Sequence, residues 1–151
     1  MNLPDTWRLV RLSDVCAINP SLSPDERPSP DTLVTFIPMA AVDEIDGKIT
    51  SPETRTLQEV SKGFTPFRES DVLFAKITPS MENGKAAIAT DLKNGLGFGS
   101  TEFHILRPTE HLLPDYLFYF IHQPSFRDRA RAAFVGSAGQ QRVPQGFLER
   151  V

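Results

Sequence analysis

Asp71-Val72-Leu73-Phe74-Ala75-Lys76-Ile77-Thr78-Pro79-Ser80-Met81-Glu82-Asn83-Gly84-Lys85 is the stretch on which the fold class turns. Residues 71–77 read as a strand, Asn83-Gly84 has the composition of a tight hairpin turn, and residues 85–90 read as the returning strand. Asn94-Gly95 repeats the turn signal and residues 100–107 supply the next strand. There Thr101, Phe103 and Ile105 alternate with Glu102, His104 and Leu106, a period of two whose apolar face is expected to meet the core. Three successive strands joined by short turns predict a meander. Upstream, residues 33–39 are rich in β-formers and Asp46-Gly47 marks another turn.

The period changes from Pro114 onward. Proline at a first helical position followed by Asp115-Tyr116-Leu117-Phe118-Tyr119-Phe120-Ile121-His122 predicts a largely buried helix that Pro124 breaks. Ser125 is then expected to cap a second helix with Phe126, Ala130, Ala133 and Phe134 on one face and Arg127, Asp128 and Arg131 outward, closed by Gly136. Residues 136–144 have loop composition, and a further helix starts at Gln145. At the other end, residues 7–12 read as a short strand, Ser13 as the cap of one helical turn through Ala17, and the proline-rich residues 19–30 as a loop. The predicted fold is α+β: a twisted, mainly antiparallel sheet with a C-terminal pair of helices packed on it, in one domain spanning 1–151. No repeat with a period of 20 to 50 residues is visible.

Composition excludes several classes. Hydrophobic content of 40% and charged content of 23% are globular values, and the longest apolar run, residues 116–121, is far short of the roughly 20 residues that span a bilayer. The first residues lack the basic and apolar regions of a secretory signal. The single Cys16 leaves no internal disulfide and no cysteine-built zinc site, which makes the cytosol the expected compartment. Net charge is -3, but residues 1–61 hold five Lys/Arg against ten Asp/Glu and residues 62–151 hold eleven against nine. Any surface for an anionic partner therefore belongs to the second part.

The candidate chemistry is mostly negative. Gly95-Leu96-Gly97-Phe98-Gly99-Ser100 superficially resembles a nucleotide-binding glycine loop, but a strand pattern follows where the helix should begin, so a hairpin or bulge is the better reading. Pro30-Asp31 with Asp46-Gly47-Lys48 fits a loose magnesium-nuclease spacing, yet Asp31 follows the proline-rich loop and Asp46-Gly47 reads as a turn. His104, His111 and His122 lack the close pairing of metal ligands. No catalytic or cofactor site is therefore assigned. Two polar loops remain: residues 76–85, with two lysines, two hydroxyls and an amide, and residues 140–142, Gln140-Gln141-Arg142. Glutamine can pair with adenine, and arginine or lysine with guanine or phosphate; ordinary polar loops have the same composition. Arg127 and Arg131 are four apart without a local acidic partner, a pattern that leaves room for an external anion.

Four segments in order resemble the specificity subunits of type I restriction-modification enzymes: residues 7–15, beginning Trp7-Arg8-Leu9; residues 71–85, quoted above; residues 97–108, Gly97-Phe98-Gly99-Ser100-Thr101-Glu102-Phe103-His104-Ile105-Leu106-Arg107-Pro108; and residues 136–144, Gly136-Ser137-Ala138-Gly139-Gln140-Gln141-Arg142-Val143-Pro144. That resemblance implies a non-catalytic module that reads one half of a split site in double-stranded DNA. It further implies methylation subunits carrying S-adenosylmethionine and restriction subunits using ATP as partners. The expected DNA-facing set is Lys76, Thr78, Ser80, Asn83 and Lys85 with Gln140, Gln141 and Arg142. Against the two-domain plan of such subunits, the expectation here is one recognition domain without spacer helix or second domain. The competing readings are a nuclease or methyltransferase fragment built on Asp31, Asp46 and Lys48, and a protein-interaction module without DNA readout.

Overall fold

The structure is a computed structural model that describes residues 2–151. In chain order the elements are α1 (Leu12–Val15), β1 (Cys16–Ile18), β2 (Leu33–Ile37), β3 (Glu53–Thr56), α2 (Leu57–Val60), β4 (Thr65–Arg68), β5 (Val72–Ala75), β6 (Ala86–Ile88), β7 (Leu96–Gly99), β8 (Phe103–Pro108), α3 (Pro114–His122), α4 (Pro124–Ala132) and α5 (Gln145–Arg150). The strands form two sheets of four, ordered β1-β8-β5-β6 and β3-β2-β7-β4. All pairs are antiparallel except β2 with β7.

The apolar run of β5 explains the layering. Val72 and Phe74 join Leu12, Leu117, Ile121, Phe126 and Leu148 in a core between the first sheet and the helices. Leu73 and Ala75 point the other way, joining Ile37, Phe67, Phe103 and Ile105 between the two sheets. A strand covered on both faces has no reason to alternate with polar residues, which is why this one reads as a continuous hydrophobic segment. On the far side of the second sheet, Val34, Phe36, Leu96 and Phe98 pack with Leu57 and Val60 of α2.

The α+β class, the mainly antiparallel pairing and the C-terminal helices are as expected, but the strand connection is not a meander. Residues 85–90 and 100–107 do not pair around Asn94-Gly95: between β6 and β8 the chain crosses to the other sheet to lay down β7 beside β2. The glycine-rich segment is thus neither hairpin nor bulge but β7 itself. A Cβ on Gly97 would lie 2.2 Å from Cε2 of Phe67, and one on Gly99 2.7 Å from the carbonyl oxygen of Ile37. The glycines leave room for the ring of Phe67, on the neighbouring strand β4, to lie across β7. β8 is also buried on both faces rather than one, with residues 103–106 all buried.

Three local expectations are corrected. Residues 7–12 have no partner strand; Leu9 is 91% exposed, and the edge of β8 is taken by β1 after the single turn of α1. Ser125 does not cap α4: Gln123 is the N-cap, held extended (φ -63°, ψ 137°) by the proline that follows it, so Pro124 ends one helix and begins the next. α4 stops at Ala132, four residues before Gly136.

Candidate nucleic-acid interface

The loop from 76 to 85 is not the two-residue turn that Asn83-Gly84 predicts. Phe74 pairs with Ala86 and the chain between them folds into its own turns, with Met81 N donating to Ile77 O, Asn83 N to Pro79 O and Lys85 N to Ser80 O at 3.0 to 3.1 Å. Met81, 1% exposed, anchors the loop in the helix-side core. Gly84 adopts φ +91°, and a Cβ there would meet the Glu44 carbonyl oxygen at 2.8 Å, so the turn residue is dictated by a close approach as well as by its dihedral.

Residues 136–144 lie directly against this loop. Thr78 N donates to Gln141 O at 3.0 Å and Val143 N to Lys76 O at 2.8 Å, while Arg142 and Val135 exchange backbone hydrogen bonds at 2.9 and 3.0 Å. Arg142 bridges Ile77 on one side and Val135 on the other. Lys76 N in turn donates to Glu102 O at 2.9 Å, tying both loops to the start of β8. The fold therefore brings together two sets of residues more than fifty positions apart.

Side chains within the pair of loops divide into engaged and free. Thr78 donates its hydroxyl to Glu82 Oε2 at 2.6 Å, and Lys85 Nζ donates to the Met39 carbonyl at 3.1 Å. Arg142 forks onto Glu102, Nε to Oε2 at 2.9 Å and Nη2 to Oε1 at 2.8 Å, and donates Nη1 to Gln140 O at 3.0 Å. The guanidinium holds the Glu102 carboxyl below the usual glutamate range against a smaller opposing effect of burial. Arg127, expected outward, instead turns in and donates Nη1 to the Glu82 carbonyl at 2.7 Å, fastening the loop to α4. Lys76, Ser80, Asn83, Gln140 and Gln141 make no side-chain hydrogen bond among the described residues. Nothing local in the sequence marks the Glu102–Arg142 or Arg127–Glu82 contacts, whose partners lie 40 and 45 positions apart.

Beneath this surface His104, 3% exposed, places Nε2 2.7 Å from the Val143 carbonyl and Nδ1 3.0 Å from the Asn19 amide nitrogen. The carbonyl requires Nε2 to carry the proton, leaving Nδ1 to accept from Asn19. Burial chiefly pushes the His104 pKa below its ordinary 6.5, partly offset by the Val143 hydrogen bond. The unfolded chain consequently binds the proton first, so this contribution to stability is complete above pH 6.5 and is lost as pH falls through and below that value. Denaturant unfolding at about pH 7.5 and 5.5 should show a larger acid loss for the parent than for His104→Gln; equal losses would show that His104 does not carry it.

The other candidates are accounted for locally. Asp31 accepts from the Ser29 hydroxyl at 2.8 Å, and Asp46 is neutralised by Lys48 at 3.4 Å. His122 stacks on Phe118 with its Nε2 3.1 Å from the Glu44 carbonyl oxygen, and His111 is exposed beside Glu110. Cys16 is buried, its thiol pushed up to about 12 by burial first and the Asp71 charge second. Among the described residues, no group of three or more His, Cys, Asp and Glu is placed to hold a metal, and no helix is long and apolar enough to cross a membrane.

No protein-family model matches the sequence. The chain is 40% identical over 151 residues to the type I restriction enzyme EcoAI specificity subunit of Escherichia coli, and 36% identical over 148 residues to the EcoEI specificity subunit of the same organism. Each alignment takes in 97% of the chain. The chain is a relative of the type I restriction enzyme specificity subunits.

It spans about a quarter of the length of these curated relatives, 25% and 24% respectively. The fold agrees with solved members: the HsdS subunit from Thermoanaerobacter tengcongensis superposes with a TM-score of 0.75 at 25% identity, covering 100% of this chain and 38% of that one. A chain from a structure concerning complex assembly and conformational transition of the type I R-M system gives 0.74 at 23% identity over 99% of this chain and 38% of its own. In this specificity-subunit relative, three of the four segments that carry the sequence resemblance meet in space, at Lys76, Glu102 and Val143.

Proposed function

We propose that this chain is a recognition domain that reads one half of a bipartite target in double-stranded DNA and has no catalytic activity of its own. The observation that carries the reading is the juxtaposition of residues 76–85 and 136–142, which presents Lys76, Ser80, Asn83, Gln140 and Gln141 without intramolecular side-chain partners. An amide can donate one hydrogen bond to a base edge and accept another from it, and a lysine outside any ion pair can neutralise a phosphate. The names of the relatives support the same reading. In it the methylation and restriction subunits of a type I complex are the partners, S-adenosylmethionine and ATP are bound by those partners, and the complex works in the cytoplasm.

The test uses the intact gene product assembled with its methylation subunits. Lys76→Ala is expected to weaken binding to every duplex and to make the slope of log affinity against log salt shallower by about one. Gln141→Ala is expected to relax preference at one base pair of the target, read by sequencing methylated adenines. An unchanged salt slope together with an unchanged methylation pattern would overturn the proposal, and magnesium-dependent cleavage of DNA by the chain alone would replace it with the nuclease reading.

A further inference from the structure

Arg142 lies between the two loops and has the side chain best suited to guanine or phosphate, yet each of its three guanidinium nitrogens already has a partner. Both Nε and Nη2 face the Glu102 carboxylate and Nη1 faces Gln140 O. Its backbone is equally fixed, between Ile77 and Val135. Arg142 thus ties three segments together, its guanidinium holding the start of β8 and the Gln140 carbonyl of its own loop, and its backbone holding the loop at 76–85. A planar fork matched to a carboxylate is a rigid tie, because both hydrogen bonds must break before the side chain can swing. With the side chains 40% and 25% exposed, the pair sits at the rim of the surface and closes on itself, and the neutralised pair offers little net attraction to a phosphate, in contrast to Lys76.

We propose that the Glu102–Arg142 pair is a positioning bracket: it sets the placement of Gln140 and Gln141 relative to residues 76–85, so that Arg142 governs DNA specificity without touching DNA. The inference rests on the DNA-reading proposal above. It separates Arg142 from the residues that read, and it gives Glu102, an acidic residue beside an anionic ligand, a reason to be there. A carboxylate at a DNA-facing rim costs affinity unless it holds something. What it holds is the loop.

The bracket and a direct DNA contact predict opposite behaviour. Removing the Glu102 charge strengthens sequence-independent attraction in either case; if Arg142 contacts DNA, Glu102→Gln frees the guanidinium and keeps or sharpens the preference for the target. If the pair is a bracket, Glu102→Gln loosens the loop and lowers discrimination. The experiment measures the affinity of the intact gene product, assembled with its methylation subunits, for two duplexes. One carries the target defined by methylated-adenine sequencing, and the other has the half-site read by this chain scrambled.

Glu102→Gln and the double variant Glu102→Ala/Arg142→Ala are each expected to reduce preference for the target by about tenfold, comparable to one mismatched base pair. In the double variant, which removes both charges, affinity for the scrambled duplex should be unaltered and the salt slope steady to within about 0.3. The exchange Glu102→Arg/Arg142→Glu, which rebuilds the pair in reverse, is expected to recover preference. Thermal unfolding is recorded for each variant. Should the exchange fail to fold, the first two decide the matter, since they remove no core side chain. An unreduced preference for the target in Glu102→Gln, or a salt slope shallower by about one in the double alanine variant, would overturn the bracket. If the unsubstituted complex does not distinguish the duplexes, the DNA-reading proposal itself fails, a result separate from either of these.

Discussion

Asp71→Ala is expected to lower the free energy of unfolding by about 3 kcal/mol, the lower end of the range for breaking a buried ion pair. Asp71 is 1% exposed and accepts three hydrogen bonds: Arg107 Nε on Oδ1, Arg107 Nη2 on Oδ2 and Arg68 N on Oδ2, each at 2.8 Å. Alanine leaves the guanidinium facing an empty site and the Arg68 amide without an acceptor. The cost stays at the lower end because the Arg107 side chain is 29% exposed and recovers some water. Urea unfolding of the parent and of Asp71→Ala measures the loss. Adding Arg107→Leu to Asp71→Ala should restore part of it, because the uncompensated charge goes with it. A loss under about 1 kcal/mol would mean that the pair behaves like one on the surface. Asp71 also opens the stretch that sets the register of β5, so the variant tests whether the ion pair between β5 and β8 holds the sheet on which the two candidate-site loops are mounted.

Phe126→Ala should cost about 4 kcal/mol, as expected for a fully buried phenylalanine. Its ring, 2% exposed, packs edge-on or tilted against Phe74, Phe120 and Phe147, with centroids 5.8, 5.2 and 5.7 Å away. It therefore joins the sheet to three successive helices. The consequence reaches the candidate site, because the next residue is Arg127, whose guanidinium fastens the loop at 76–85 through the Glu82 carbonyl. Alongside the drop in unfolding free energy, amide exchange at Asn83 and Gly84 is expected to accelerate in the variant under native conditions. Exchange unchanged at these amides would show that the loop does not depend on α4.

What could be read in the sequence was whatever is local. The run Val72–Ala75 is apolar because both faces of β5 are covered, and Pro114 marks a helix start because proline is tolerated there, whereas Pro124 was legible only as the end of that helix and not as the start of the next. The glycines at 97 and 99 were visible but their purpose was not: they exist because Phe67, thirty positions earlier, lies over them. The parallel pairing of β2 with β7 left no trace, since its partners lie 62 positions apart. The same limit applied to the candidate site. Composition drew attention to residues 76–85 and 140–142, and the fold does bring them together. That Arg127 turns inward and Arg142 forks onto a carboxylate was set by Glu82 and Glu102, long-range partners that no spacing rule could supply.

The contact between the two loops is written in the main chain. Thr78 N to Gln141 O and Val143 N to Lys76 O join atoms that every non-proline residue possesses. Side chains at Ser80, Asn83, Gln140 and Gln141 take no part in that seam. Under the proposed DNA-reading role, a lineage under pressure to recognise a new sequence could therefore rewrite these positions one at a time, retaining the scaffold through each intermediate. The fold separates what must be inherited from what is free to diversify.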